Sequence, residues 1–539
     1  MLAQNKIHRR ALRVLLASAV MLAAAWPLST ASAGPGTVVI KTDGDITMTF
    51  GAQVRVIPTM ESNWDFGIAK LTGRNIGNTH TNEGGTVKNS YIRTEERLYF
   101  NFAQSDLWDV YMALEFDTSL SQQRVDRALA TQGPFGDFGM ERLNASLKLP
   151  WIFSRLNFGW DVYAADIETG LIYGDDDPGF NIKGGYGLFD WQLGFNKKIE
   201  ADFIPSPTPA GFSLTGQEND RNIYTVRLNF NPVKDWQVGL IYAFDDLNVR
   251  GSVATAGTTP NVANHRIGPI VKGAAGPLRF LAQGAYSLGS ANSTGVVNAA
   301  APNGDYDISA YGFVGDVALD LHKIVSLPVP VVPHFGFYYT SGDSNPNDNK
   351  LKGYTAAVSL ARFGRVFGGE NTILMDGNAV AGSILYGNLP ELHGNQSPFL
   401  GVGGLTGTGR GDNPGWLMIG GGVTVGPIAE RVTYRTNVYY MRWNQEFIPA
   451  TTPPVGLGAA TATGLVTGTT LVTKQSFGVG WDNEITFQLY KYTFLKGQGS
   501  VIFPLSGASA AAASLAGVPD QGQFDKPAIR LALEMIWNF

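Results

Sequence analysis

From Ala528 onward the chain alternates strictly. Ile529, Leu531, Leu533, Met535, Trp537 and Phe539 are apolar, and Arg530, Ala532, Glu534, Ile536 and Asn538 lie between them. Successive side chains of a strand point to opposite faces, so this segment is a strand with one apolar and one mixed face. The same period opens the chain. Ile46, Met48, Phe50, Ala52, Val54 and Val56 alternate with Thr47, Thr49, Gly51, Gln53 and Arg55. Next, Ile92, Thr94, Leu98, Phe100 and Phe102 alternate with Arg93, Glu95, Arg97, Tyr99 and Asn101, and Glu96 interrupts the apolar face. A third segment sets Val110, Met112, Leu114 and Phe116 against Asp109, Tyr111, Glu115 and Asp117.

A soluble sandwich would bury such apolar faces against a second sheet. A transmembrane barrel turns them to lipid, with aromatic girdles at the two interfaces. The final strand, with Trp537 and Phe539 at its end, resembles the signal read by the outer-membrane barrel assembly machinery, and a sandwich has no use for it. Beyond residue 33 the sequence has no apolar run of about 20 residues, the length a membrane helix needs. A membrane location therefore requires a closed barrel, because hydrocarbon leaves no backbone group unpaired.

The first residues read as a targeting segment. Lys6, Arg9, Arg10 and Arg13 precede the apolar run Val14 to Trp26, and Ala31-Ser32-Ala33 gives a small-x-small cleavage pattern before Gly34. Thirteen apolar residues are too few to span a bilayer, so residues 1–33 are expected to be a cleaved signal peptide. They hold four positive and no negative charges, so the formal net charge of -5 becomes -5 - 4 = -9 without them. So acidic a chain is a poor nucleic-acid binder. Only 16% of residues are charged, against about 25% for a soluble domain. The absence of cysteine excludes disulfides, thiolate metal sites and covalently attached c-type haem.

Loop lengths give a separate test. With a periplasmic start, connections should alternate between long outer loops and short inner turns. Long segments fall at 60–88, 119–138, 164–180, 199–221, 246–264, 288–306, 341–415, 444–474 and 504–526. Short ones fall at 105–108, 150–154, 188–190, 231–235, 274–277, 319–332, 426–430 and 490–491. Nine outer loops and eight inner turns predict an all-β antiparallel transmembrane barrel of eighteen strands, occupying residues 34–539. Segment 341–415 leaves the count open, since Ile373 to Leu385 has room for another hairpin, and sixteen or twenty strands also fit. Only about eleven residues separate Gly34 from the first strand, too few for a folded plug domain.

With the apolar faces outward, the alternate residues line the lumen. They include Arg55, Arg93, Glu95, Arg97, Glu115, Arg142, Lys148, Arg227, Arg431, Arg435, Glu484 and Arg530. Charged rings set pore selectivity through the local field. Arginine outnumbers carboxylate in this set, which points to a water-filled channel for small, anionic solutes. The alternative is that the charges pair across strands and only fill the wall. Segment 341–415 is the candidate constriction loop, and a surface loop is its alternative. Asp175-Asp176-Asp177 and the run Asp343, Asn345, Asn347, Asp348, Asn349 cluster oxygens as calcium requires, but neither completes a calcium-loop motif, and polar turns account for them equally well. Outside the targeting segment the histidines are His80, His265, His322, His334 and His393, without paired metal spacing. No catalytic motif stands in strand–helix context. No enzyme, cofactor or metal is expected. The expected partners are outer-membrane lipid, the assembly machinery and small solutes.

Several segments resemble the alginate-export and related outer-membrane porin families. They are Tyr91 to Asp117 with Arg93, Glu95, Arg97 and Glu115; Gly276-Pro277-Leu278 with Gln283-Gly284-Ala285-Tyr286; and Asp307-Ile308-Ser309-Ala310-Tyr311. Phe337 to Asp343 and Trp481 to Gln488, with Glu484, complete the set. The resemblance implies an eighteen-stranded monomeric channel. Alginate exporters line the lumen strongly with arginine to pass a polyuronate, whereas this lumen is more mixed, so a general or anion-preferring porin fits better than polysaccharide export. A third reading is a barrel that sheathes a multihaem cytochrome, which would have to supply the haem motifs this chain lacks.

Overall fold

The computed structural model describes residues 38–41, 45–63, 88–120, 137–200, 219–249, 261–293, 298–357, 413–451, 466–467 and 470–539. The targeting segment and Ile373 to Leu385 lie outside them.

Eighteen strands close into one antiparallel barrel. In chain order they are β1 (Ile46–Ser62), β2 (Lys88–Gln104), β3 (Trp108–Leu120), β4 (Asp137–Leu149), β5 (Ser154–Ala164), β6 (Gly174–Tyr186), β7 (Phe189–Glu200), β8 (Asn219–Phe230) and β9 (Trp236–Val249). They continue as β10 (Asn261–Ala275), β11 (Leu278–Asn292), β12 (Tyr306–Leu319), β13 (Val331–Thr340), β14 (Trp416–Ile428), β15 (Val432–Trp443), β16 (Ser476–Tyr490), β17 (Thr493–Pro504) and β18 (Ala528–Asn538). Each strand pairs with the next, and β18 returns to β1 with Val54 opposite Trp537. Phe539 extends this seam by exchanging backbone hydrogen bonds with Ala52. The short strand Val38–Lys41 occupies the same edge of β1 further down, opposite residues 47–50. Closure leaves no open edge, which is the condition for crossing hydrocarbon with strands.

The predicted count of eighteen holds, and so does the alternation of long and short connections. One boundary moves. The segment 164–180 was expected to be a loop, but β6 starts at Gly174, so Asp175, Asp176 and Asp177 belong to a strand. A run of three aspartates before Pro178 reads as a turn. In the fold the Lys198 ammonium contacts both the Asp175 and Asp177 carboxylates, so the strand tolerates the charge.

The outer face is apolar. Leu98, Phe102, Val110, Leu143, Phe158, Leu193, Leu228, Phe313 and Leu531 all project outward and are exposed. Two aromatic bands edge it. Near the short turns, Phe153 packs on Tyr186, Phe189 on Phe230, and Trp236 on Phe280. Six to eight residues further along the strands, a ladder runs Phe180, Phe195, Tyr224, Phe244, His265, with centroids 5.6, 5.2, 6.0 and 4.5 Å apart. At about 3.3 Å per residue and a tilt near 40°, six to eight residues rise roughly 15–20 Å, most of the height of a lipid-facing band.

The interior is not empty. Trp416, Trp443, Phe447 and Phe477 form an inward cluster of rings at the outer end of β14–β16. Helix α1 (Ser506–Ala516) packs on it through Ala508, Ala511 and Ala512. Alanine favours helix and lets it approach closely. The helix ends at Gly517 in the left-handed region, φ 69°, where glycine is without strain. Lower on this wall the Tyr439 ring lies flat over Gly480, where a Cβ would stand 1.9 Å from the ring. Its hydroxyl donates to Asp482 at 2.7 Å.

Candidate functional site

The lumen has two unlike walls. On the arc formed by β17, β18 and β1–β4, inward residues build one ion-pair network. Arg55 of β1 reaches Glu95 of β2 at 2.8 Å and Glu534 of β18 at 2.5 Å. Arg97 reaches Glu95 at 3.1 Å, Glu115 at 2.6 Å and Glu141 at 3.0 Å. Arg93 lies 3.3 Å from Glu95, and Lys496 lies 3.6 Å from Glu534. These contacts follow from register: Arg55 stands opposite Glu95, and Arg97 opposite Glu115.

Glu141 escaped the sequence reading. Strict alternation would give only one of Glu141 and Arg142 to the lumen. A bulge breaks the register between Ala113 and Leu114, which face Arg142 and Met140, so Glu141 is the extra residue. A bulge re-aims its side chains, and both residues join the network. In sequence its one trace is a slip in the period around Met140.

The network is layered. The Glu95 and Glu534 side chains are 0% exposed and that of Glu141 is 10%, while Arg97 is 21% and Arg142 24% exposed. Lys496 and Glu115 are each 20% exposed. Most carboxylates therefore lie beneath the guanidinium groups, and the surface met from the lumen is mainly cationic.

The opposite wall carries two inward segments. Residues 165–173, between β5 and β6, turn into the barrel. Asp166 accepts from the Ile172 and Tyr173 amides at 2.7 and 2.9 Å and from Gln283 of β11 at 2.7 Å. Glu168 is clamped by both terminal nitrogens of Arg227 and by Lys272 of β10. Burial pushes the Asp166 carboxyl up to about 6 against its amide donors. Burial also pushes Glu168 up, but the Arg227 and Lys272 cations outweigh it and hold the carboxyl at about 2.

Residues 341–357 form the second inward segment. Ala357 donates its amide to Ile172 at 2.8 Å, and the Tyr354 hydroxyl donates to the Leu171 carbonyl at 2.7 Å. Arg221 donates to the Ala357 carbonyl at 2.9 Å and Arg266 to the Thr355 carbonyl at 2.8 Å. Asp245 lies between these two arginines, 2.8 Å from Arg221 and 3.3 Å from Arg266. Residues 358–412 of the long connection lie outside the described residues. In sequence 164–180 reads as an ordinary outer loop, and nothing in it signals that 165–173 folds inward.

The other predicted lining residues fall as follows. Arg435 is inward and half-buried, opposite Glu484, and makes no ion pair among the described residues. Glu484 accepts from Gln498 at 2.7 Å. Arg530 is inward and buried. Lys148 pairs with Asp106 at the inner rim. Arg431 is a correction: it sits exposed in the turn between β14 and β15, because β15 begins only at Val432. Trp537 and Phe539 face outward at the seam.

Of the acidic clusters considered for calcium, Asp175 and Asp177 are held by Lys198. Asp343 accepts backbone amides and Asp348 pairs with Lys352. Among the described residues no three His, Asp or Glu side chains are placed to hold a metal ion. His265 faces outward against Tyr242 and Phe244. His322 lies in the inner turn before β13, and His334 is inward, 2.6 Å from Asn437. His80 and His393 lie outside the described residues.

The fold and lumen together define a membrane-type β-barrel with a lined and narrowed interior. No family model matches the sequence, and no curated protein matches it. Solved structures similar to it are barrels. OccK5 of Pseudomonas aeruginosa aligns over 91% of this chain and 98% of its own, at 9% identity and a TM-score of 0.45. OccAB2 of Acinetobacter baumannii aligns over 91% and 98%, at 10% identity and 0.44. Wzi, an outer-membrane, carbohydrate-binding barrel involved in capsule assembly in Escherichia coli, aligns over 90% and 84%, at 12% identity and 0.41. None of these likenesses bears on what passes through this chain.

Proposed function

We propose that this chain is an outer-membrane porin, a passive channel for small polar solutes with a preference for anions. The observation that carries the reading is the layering of the β17–β18/β1–β4 wall, where Glu95, Glu534 and Glu141 are more buried than Arg97, Arg142 and Lys496, and only Glu115 is as exposed as these cations. A solute passing that wall meets guanidinium and ammonium groups first, and a charged lining sets preference through its local field. Residues 165–173 and 341–357 narrow the path from the opposite side and hold it against this wall.

In this reading residues 1–33 direct export and are removed. The assembly machinery reads Trp537 and Phe539, and the apolar belt sits in outer-membrane lipid. Residues 165–173 and 341–357 take up part of the interior, which counts against the sheath. The network pairs its arginines with four glutamates, which counts against a polyuronate exporter.

Liposome swelling tests the proposal. Protein refolded into phosphatidylcholine vesicles should admit small organic anions faster than cations of equal size. Equal rates would leave a neutral porin, and no swelling with a folded barrel would refute the channel.

A further inference from the structure

A groove of about 590 Å³ runs down the lipid-facing side of β10–β14. Its floor is Pro269, Ala282 and Gly284, and its walls are Phe313, Phe337 and Leu417. The small floor residues make the depression. Gly284 stands opposite Phe313, whose ring would lie 3.2 Å from any Cβ added there. The exposed lining is almost wholly carbon, with Tyr339 at the edge nearest Arg442, so the groove suits an alkyl chain better than a polar molecule.

The groove leads to a charge. The register sets one row across the outer face: Gly284 beside Phe313, Phe313 beside Tyr339, Tyr339 beside Leu417, and Leu417 beside Arg442. Tyr339, Leu417 and Arg442 are the second residues from the outer ends of β13, β14 and β15. Arg442 donates to the Trp443 carbonyl at 3.2 Å and to the Gln475 amide oxygen, both neutral. Among the described residues it makes no ion pair, so no counter-charge stands against it among them at the outer interface. Along the same rim, Tyr286 and Ser309 share a hydrogen bond of 2.7 Å.

We propose that this face binds one molecule of the phosphorylated, multi-acylated glycolipid of the outer leaflet. A headgroup phosphate pairs with Arg442, and one acyl chain lies in the groove beneath it. A basic residue at a membrane surface attracts an anionic headgroup, and an arginine fork matches phosphate oxygens in pairs. A chain anchored at the rim enters hydrocarbon in the direction the groove runs. The site rests on the membrane reading but not on the channel activity, because none of its side chains lines the lumen.

Native mass spectrometry of the detergent-solubilised, refolded barrel tests it, with bis-phosphorylated lipid A and phosphatidylcholine as probes. The wild type should retain one lipid A in preference to phosphatidylcholine. Arg442→Gln should weaken retention about five-fold, the usual effect of one basic residue at a membrane surface. Ala282→Phe, an exposed position filled from outside, should abolish it, and Gly284→Leu serves if that variant does not fold. Both variants should keep wild-type conductance in planar bilayers. Equal retention of both lipids, or loss in only one of the two variants, overturns the site. So does a dimer that excludes lipid A. Failure of the wild type to insert would remove the membrane reading itself, whereas insertion without lipid A retention removes this site alone.

Discussion

Arg227 on β8 holds both carboxylate oxygens of Glu168, at 2.9 and 3.0 Å, and so fastens a nine-residue connection to the inside of the barrel wall. Two parallel N–H···O bonds fix geometry as well as distance. Lys272 closes the third side at 2.7 Å. Glu168→Gln removes the charge while keeping the shape, and leaves Arg227 and Lys272 without a counter-charge in a mostly buried position. Breaking such a pair costs about 3 kcal/mol. Residues 165–173 should then leave the lumen more often, and single-channel records should show larger and noisier steps than wild type.

Asp166 makes the same segment sensitive to acid. Its docked carboxyl titrates at about 6, against about 3.9 for a free one. The protonated form is therefore favoured when docked. That stabilisation is complete below pH ~4 and is lost as the pH rises through ~6. Open-channel noise should increase between pH 4 and pH 7, and Asp166→Asn should flatten the change. Noise that falls over this range would contradict the assignment.

The ion-pair wall should be stiff and costly to break. Arg55 is the cation shared by Glu95 and Glu534, both 0% exposed. Arg55→Met leaves two buried carboxylates short of a partner, and a loss of about 3–5 kcal/mol follows. The heat-modified band on a denaturing gel should appear at a clearly lower temperature than in wild type. Arg93→Met should cost less, because Arg93 lies 3.3 Å from Glu95, a carboxylate that also has Arg55 and Arg97.

Much of this architecture was legible in the sequence. Alternation is plain in the first three strands and the last, where one side meets lipid along the whole length. The loop rhythm gave eighteen strands without the structure. What alternation cannot carry is a break in its own period, and this is where Glu141 was missed. Nor can it show what a connection does after leaving the wall. Asp166 and Glu168 look like surface polar residues until Gln283 and Arg227, over fifty residues away, are seen to receive them. Arg431 failed for a simpler reason: strand ends are fixed by backbone pairing, and Val432 is the first residue of β15. Inward arginines could be named from sequence, but which of them lie above their carboxylates depends on the third dimension.

The most direct test is the reversal potential of single channels in a planar bilayer under a tenfold gradient of potassium chloride. A wall whose accessible groups are mainly Arg97, Arg142 and Lys496 predicts open steps with a reversal potential displaced toward that of chloride. It also predicts that the double change Arg97→Gln with Arg142→Gln moves the potential toward zero. Steps with a potential displaced toward potassium, or a folded barrel that shows no steps at all, would contradict it.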